Sequence, residues 1–365
     1  MINLHFMPSR RLALYMARLF LTRSAAVMVV LVLVLMALDL LGESPHILAV
    51  PGSGEADLWR YVVLRVPLLV QRFMPFSVLL GTLIAFTSLN QNSEVVAMKA
   101  AGLSAHQILA PLIVASIAVA GVSLAFNETI AVHSARQIDA WVDAEYHPVP
   151  PDTGIQSNVW VLAGNDLVHV GHVGVANGRT HLQQVTIYHR AANVLQGTTE
   201  AERADRIGGG WRLTGVRTYD AESNVVRRIA SLDALPGVTE DRFRLAKVDA
   251  AELSLPALGQ AIAELEAAGR SADEARTGWW HKLSGPLSTV LMPLLAAVAA
   301  FGLARSGQVL LRACIGMALG FAYFVADNFS LALGNSGAYP PFLAAWAPFL
   351  LFLLIGEFIL IRGEE

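Results

Sequence analysis

Arg65 and Arg72 stand seven residues apart in an apolar run, so a helix there carries both guanidinium groups on nearly one face, two turns apart. A guanidinium fork suits the paired oxygens of a phosphate. An arginine inside a bilayer costs about 2.5–3.5 kcal/mol at mid-depth and less near the interface, so the alternative is that each side chain snorkels to the headgroups. Arg60 and Arg136 fall near the same level. Two carboxylates, Asp39 and Asp327, also lie in apolar segments, where a lone charge must face protein or water. For Asp327 a functional and a structural role are both open. Neither aspartate has the companion motif that an intramembrane enzyme would need.

The other chemistry-bearing residues exclude more than they propose. The lysines are Lys99, Lys247 and Lys282; none follows glycine or precedes serine or threonine, so the chain has no phosphate-cradling loop of the Gly-Lys-Ser/Thr kind. It contains no His-Glu-x-x-His zinc motif and no Gly-x-Ser-x-Gly nucleophile turn. His169, His172, His181 and His189 lie in one β-rich stretch; they read as ordinary strand histidines, since a strand carrying His169 and His172 sends them to opposite faces, and no metal site is expected. The one cysteine, Cys314, allows no internal disulfide. A net charge of −3 excludes a bulk basic field for nucleic acid.

The elements that hold these residues are mostly membrane helices. Hydrophobic residues make up 55% and charged residues 15%, with a mean hydropathy of +0.51. Soluble domains carry about 25% charged residues. Six runs approach the roughly 20 apolar residues of a spanning helix, at 24–41, 66–89, 108–126, 283–303, 310–333 and 341–361. The first is too long for a signal peptide's apolar core and has no small-residue cleavage site after it, so it reads as retained. Arg10, Arg11, Arg18, Arg23, Lys99, Arg305 and Arg362 fall on one side, whereas 42–60 and 334–340 hold only Arg60 against Glu43, Glu55 and Asp57. The positive-inside bias places both termini in the cytoplasm and the polar middle of the chain outside, in the periplasm of a two-membrane bacterium.

Three units result: 1–127 with the first three spans, 128–281 as the outward domain, and 282–365 with the last three. The middle unit reads as β. β-branched runs flank turns at Gly164-Asn165-Asp166 and Ala192-Asn193, Gly208-Gly209-Gly210 precedes Trp211-Arg212-Leu213, and a further turn falls at 220–224. A sandwich, a jelly roll or an open β-structure fits this spacing. Residues 255–269 read as a helix that stops at Gly269. The fold class is thus a helical bundle of six transmembrane helices with an inserted periplasmic, all-β, jelly-roll-like domain.

Between the second and third spans, 92–104 reads as a short helix, with Ser93 as N-cap and Gly102 as stop. Val95, Met98 and Leu103 share a side, and Glu94 and Lys99 stay polar. Such a helix across the cytoplasmic mouth either docks on an ATPase or only turns the chain.

Three runs now carry a resemblance: Ser93-Glu94-Val95-Val96-Ala97-Met98-Lys99-Ala100-Ala101-Gly102; Trp280-x-Lys282-x-x-x-Pro286-Leu287-Ser288; and Gly320-Phe321-x-Tyr323-Phe324-Val325-x-Asp327. Together and in order they resemble the LptF/LptG permeases of lipopolysaccharide export, with Ile187-Tyr188 and Trp211-Arg212-Leu213 looking more like the LptG branch. The resemblance implies pairing with an LptF-like permease, two copies of an LptB-like ATPase that carries the ATP and Mg, and a bridge of LptC- and LptA-like domains. This chain would hold no cofactor of its own. The resemblance also implies that 92–104 couples to the ATPase through Glu94, Met98, Lys99 and Gly102. Arg60, Arg65, Arg72 and Arg136 would then meet lipid phosphates, and Val159, Val161, Leu167 and Ile187 would line an acyl-chain groove. Gly316 and Gly320, a GxxxG pair in the fifth span, would pack on the partner permease. One departure stands out: 36–43 reads Met36-Ala37-Leu38-Asp39-Leu40-Leu41-Gly42-Glu43, with no basic residue where the family leads one to expect some. The competing reading is a non-transporting anchor whose β-domain docks periplasmic partners.

Overall fold

The computed structural model describes residues 7–148, 156–176, 179–191, 194–220, 225–240, 243, 249–267, 270–302 and 309–362. The turns expected at 192–193 and 221–224, the stop at Gly269 and Arg305 lie outside the described residues. Among those described, six helical stretches are long and apolar enough to cross a bilayer. They comprise α1 (Arg10–Ala49), α2 (Glu55–Gln91), α4 (Ala105–Phe126) with its continuation, α7 (Asp273–Ala297), α8 (Val309–Asn335) and α9 (Pro341–Arg362). The short α3 (Glu94–Ala100) joins α2 to α4. Three spans precede the sheet and three follow it, as the hydropathy pattern requires.

The helices outrun the apolar stretches that mark them. The 40 residues of α1 rise about 60 Å, roughly twice a hydrocarbon core of ~30 Å. The third span does not end at 127: a π-helical segment, Asn127–Ala131, carries the chain into α5 (Val132–Asp143). Buried Val132, Ala135, Ile138 and Trp141 recur at three-residue intervals along α5, which gives that extension an apolar stripe to seat against α2.

The hub of the bundle is α7. Leu291, Met292 and Leu294–Ala297 are all almost fully buried, and α2, α4, α8 and α9 pack around them. In contrast, α1 and α8 are the least buried spans. Glycines allow the closest approaches. A Cβ on Gly81 of α2 would overlap the backbone of Ser24 on α1. The GxxxG pair is also spent inside the chain, which corrects its expected place at a partner seam. A Cβ on Gly316 would meet Leu83 at 2.7 Å, one on Gly320 would strike Leu79, and both leucines belong to α2.

The middle of the chain forms one antiparallel six-stranded sheet with the strands in sequence order. They are β1 (Gln156–Ala163), β2 (Asp166–Ala176), β3 (Arg179–Ala191), β4 (Val194–Ile207), β5 (Gly210–Asp220) and β6 (Val225–Ala234). Cross-strand register stacks Val159, Val170, Val185 and Ala201 in one row, and Val161, Val168 and Ile187 in the next. All seven are buried, so these rows face the domain core. The segment after β6 closes over the same face with Leu235, Val238 and Phe243, and the Trp211 indole N–H donates to the Val238 carbonyl at 2.9 Å. The chain then returns through α6 (Leu255–Ala267) to α7.

If the α1–α2 crossing depends on the missing side chain at Gly81, Gly81→Val destabilises the protein by about 1–3 kcal/mol through overpacking. Gly121→Val serves as the control, because nothing lies within 4 Å of a Cβ there. Thermal unfolding of the purified protein, followed by fluorescence, is expected to show a fall in midpoint for the first substitution only.

Candidate functional site

The residues singled out above fall at the two ends of the bundle, between α7 and α8, and in the β-domain. At the end away from the sheet, α3 is two-sided. Val95 and Met98 are buried in the same cluster as Met16 and Phe20 of α1 and Ile108 of α4, while Val96 is 65% exposed and Lys99 lies beside it on the outside. Met98, expected to meet an ATPase, is therefore an anchor into the bundle. Val96 takes the exposed position; a seven-residue helix is too short for periodicity to separate the two. Glu94 is half-buried and accepts a hydrogen bond from the Tyr15 hydroxyl at 3.2 Å.

Both ends of α3 are set by backbone geometry. Gly102 has φ +84°, its N–H donates to the Lys99 carbonyl, and the Leu103 N–H reaches back to Met98 at 3.1 Å. That pair of bonds is a Schellman stop, which needs a left-handed residue and so favours glycine. Ser93 differs from expectation: it is itself left-handed (φ 56°) and makes no side-chain cap. Only Asn92 and Ser93 separate α2 from α3, so the reversal demands a positive φ that leaves the hydroxyl out of capping position.

At the sheet end, α1, α2 and α5 are joined by a polar clasp. Asp39 Oδ2 accepts from Tyr61 Oη at 2.7 Å and from Arg65 Nε at 2.8 Å; its Oδ1 accepts from Arg65 Nη2 at 3.1 Å. Glu43, one turn along α1, accepts from Tyr146 Oη at 2.6 Å. Burial, with this acceptor, pushes the Tyr146 phenol well above its ordinary value, so it remains a donor at any physiological pH. The Trp141 indole donates to the Tyr146 carbonyl at 3.0 Å, and Arg60 lies over the Trp141 ring, 4.5 Å from its centroid. Around these groups Val32, Met36, Ile47, Val50, Leu64 and Ile138 form an apolar shell.

This clasp revises the arginine set. Arg65 neither snorkels nor stands open: its fork is bidentate on Asp39. Arg60 is an aromatic cap, and Arg136 donates to the Glu252 carbonyl at 3.1 Å. Arg72 is exposed and, among the described residues, makes no ion pair. The stretch 36–43, acidic rather than basic, is thus matched by Arg65 of α2. Asp39 lies as far before the 50–54 turn as Arg65 lies after it, a symmetry that a search for opposite charges at matching depth in consecutive spans would have found.

Between α7 and α8, His281 Nε2 lies 3.2 Å from Asp327 Oδ2, and the Asp327 side chain is only 13% exposed. Next to it, Lys282 Nζ reaches Glu128 Oε1 at 3.4 Å; Glu128 Oε2 also accepts from the Leu255 N–H at 2.7 Å, tying the third and fourth spans to the start of α6. Asp327 therefore has a partner that its own segment did not reveal. His281 lies inside the Trp280–Ser288 run, so two runs far apart in sequence meet here.

In the β-domain Val159, Val161 and Ile187 come together on the core face. Leu167 does not: it stands opposite Tyr188 on the other face, one residue out of step with buried Val168. That outer face carries Trp160, whose ring lies 4.4 Å from His169 and 5.8 Å from Tyr188. His181 instead sits 2.6 Å from Asp205, and His189 bridges Asp166 and Thr199.

With this geometry in view, comparison with known proteins becomes specific. A family model described as lipopolysaccharide export system permease LptF/LptG matches residues 14–362, from the foot of α1 to the last residue of α9. The chain belongs to this family. The lipopolysaccharide export system permease protein LptG of Escherichia coli (strain K12) is 28% identical over 323 residues, covering 85% of this chain and 88% of that protein. The LptG of Haemophilus influenzae is 24% identical over 322 residues, 86% of this chain and 89% of its own length. The match runs through the clasp, α3, the sheet and the α7–α8 pairs alike. As a family member the chain is a multi-pass membrane permease subunit, and the LptG likeness inferred from the sequence agrees with these relatives.

The Lys282–Glu128 pair yields a double-substitution test. A buried ion pair broken on one side leaves an uncompensated charge costing about 3–5 kcal/mol, whereas replacing both partners with apolar groups is often neutral. Lys282→Met and Glu128→Leu are each expected to lower the unfolding midpoint sharply, and the double variant to recover most of the loss. Additive losses, read by thermal unfolding in detergent, would show that the two charges do not act as a pair.

Proposed function

We propose that this chain is the LptG-type subunit of an ATP-driven exporter that lifts lipopolysaccharide out of the inner membrane. Hydrolysis takes place on a separate LptB-like ATPase dimer, which holds the ATP and Mg. An LptF-like permease completes the membrane pore, and LptC- and LptA-like domains take the glycolipid onward. Both termini and α3 then face the cytoplasm and the sheet faces the periplasm, in agreement with the basic residues of the N-terminal tail and with Lys99.

The observation that carries this reading is the two-sidedness of α3. Its inner face, Val95 and Met98, is embedded among residues of α1 and α4, while its outer face presents Val96 and Lys99 with Glu94 at the near edge. A force applied to the outer face is delivered to the bundle core, because a close-packed interior transmits displacement rather than absorbing it. The spans of α1 and α8 are the least covered by the rest of the chain, which suits them to line a cavity that opens and collapses. Arg72, exposed on α2, supplies a cationic group for lipid phosphates at the periplasmic rim, whereas Arg65, Arg60 and Arg136 can do so only by leaving Asp39, the Trp141 ring and the Glu252 carbonyl.

A second reading draws on the β-domain. Its inner face is filled by Leu235, Val238 and Phe243 of the same chain, so Val159, Val161 and Ile187 can line an acyl-chain groove only if that segment leaves. A domain with a filled core suits docking of periplasmic neighbours, as in the anchor reading. The two part at Glu94. A tagged chain purified in mild detergent from its host is expected to bring ATPase activity with it, and Glu94→Lys to lower that activity about tenfold or more, as loss of a charge-assisted interface contact would. Absence of ATPase from otherwise intact complexes, or indifference to Glu94→Lys, would favour the anchor.

A further inference from the structure

The clasp contains an arginine whose anion-binding fork is already occupied by the chain's own carboxylate. Arg65 presents Nε and Nη2 to the two oxygens of Asp39, the same bidentate geometry that a phosphate monoester would use. The pair is only partly buried: 34% of the Arg65 side chain and 23% of the Asp39 side chain remain accessible. Arg72, exposed and two turns farther along α2, puts a second cation on nearly the same helix face.

What leaves when the anion arrives is the end of α1. The polar groups that fasten the last three turns of α1 to its neighbours are Asp39, held by Arg65 and Tyr61, and Glu43, held by Tyr146. Elsewhere α1 is the least buried span. The acids around Arg65 are Asp39 on α1 and Asp139 on α5, with Glu43 a turn beyond Asp39; Arg60 on α2 is the nearby cation, turned onto Trp141. Removing Asp39 from the fork therefore takes away the ion pair between this end of α1 and α2, while Glu43 still holds Tyr146 and the apolar shell of the clasp remains: a loosening rather than a detachment.

We infer that Asp39 is a substitute anion: it holds Arg65 and the end of α1 in place until a phosphate of the lipid headgroup takes the fork, and the exchange frees α1 to move. Resting on the exporter reading, this adds a positioning residue to it and links lipid arrival to helix release. The linkage is reciprocal, so whatever tightens the Asp39–Arg65 pair weakens lipid binding by the same factor.

The test uses the full-length chain in its co-purified complex, reconstituted in phosphatidylcholine nanodiscs with a bis-phosphorylated, multiply acylated glycolipid as probe. Binding is counted by native mass spectrometry, and release of α1 by hydrogen exchange over residues 40–49. The glycolipid is expected to raise exchange there in the unsubstituted protein. Asp39→Asn is expected to tighten glycolipid binding about fivefold or more, within the usual range of coupling between sites. Glu43→Gln removes an equal charge from the same clasp without touching the fork and is expected to change binding less than about twofold. Arg65→Lys keeps the charge but loses the fork, and is expected to weaken binding while leaving the fold intact.

Equal tightening by Asp39→Asn and Glu43→Gln would overturn the exchange and leave only a general electrostatic effect. Glycolipid bound without added exchange at 40–49 would overturn the release step. The same response to millimolar inorganic phosphate, or to phosphatidylglycerol in place of the glycolipid, would overturn the assignment to a glycolipid phosphate. An unsubstituted complex that binds no glycolipid would overturn the exporter reading itself, a result distinct from the others.

Discussion

A charge inside a hydrocarbon layer must bring its partner with it, and that constraint organises this protein. Three ionisable pairs join neighbouring helices in or beside the apolar spans: Asp39 with Arg65, Asp327 with His281, Lys282 with Glu128. Each pair joins two different helices, so each fixes a rotation and a depth as well as satisfying a charge. Apolar packing in a bilayer specifies these weakly, because lipid tails compete with leucine side chains on equal terms. The polar pairs therefore act as registration points, and glycines such as Gly81, Gly316 and Gly320 let the backbones come close enough to hold them there.

The pairs are unevenly distributed, and the unevenness divides the bundle into a fixed part and a mobile part. Around α7 the packing is dense and small-residue-rich, with the Lys282–Glu128 and His281–Asp327 links at the sheet end. α1 lies outside this block, packed along α2 and α4, with the Tyr15–Glu94 hydrogen bond to α3 toward one end and the clasp at the other. Between those ends α1 packs along α2, with Ser24 against Gly81 and Val32 and Met36 buried, so a displacement at α3 is conveyed along the α1–α2 pair to the level of the β-domain. No separate mechanical element is needed for the two ends of the molecule to be coupled.

The β-domain follows different rules. Its strands satisfy their backbone groups with one another in sequence order, and its core is made by alternation: valines, Leu182, Leu213 and Trp211 inward, charged residues with Trp160 and Tyr188 outward. Its inner face is completed by the chain that leaves β6, so the domain is a finished unit before any partner or lipid is considered. The Trp160–His169–Tyr188 group then belongs to the outer surface, where cross-strand aromatic contacts stabilise the sheet edge.

Six spans, their order around a β-domain, and the position of α3 were legible in the sequence, because each rests on local composition: 20-residue apolar runs, two-residue alternation, a glycine at a helix stop. The family likeness was legible in three short runs for the same reason. Partnership was not. Asp39 and Arg65, or His281 and Asp327, are separated by tens of residues, and only the folded helix pairs bring them within 3.2 Å. The face on which Met98, Leu167, Gly316 and Gly320 fall was likewise decided by tertiary packing. One residue of rotation or register exchanges core for surface, and nothing local in the chain selects between the two.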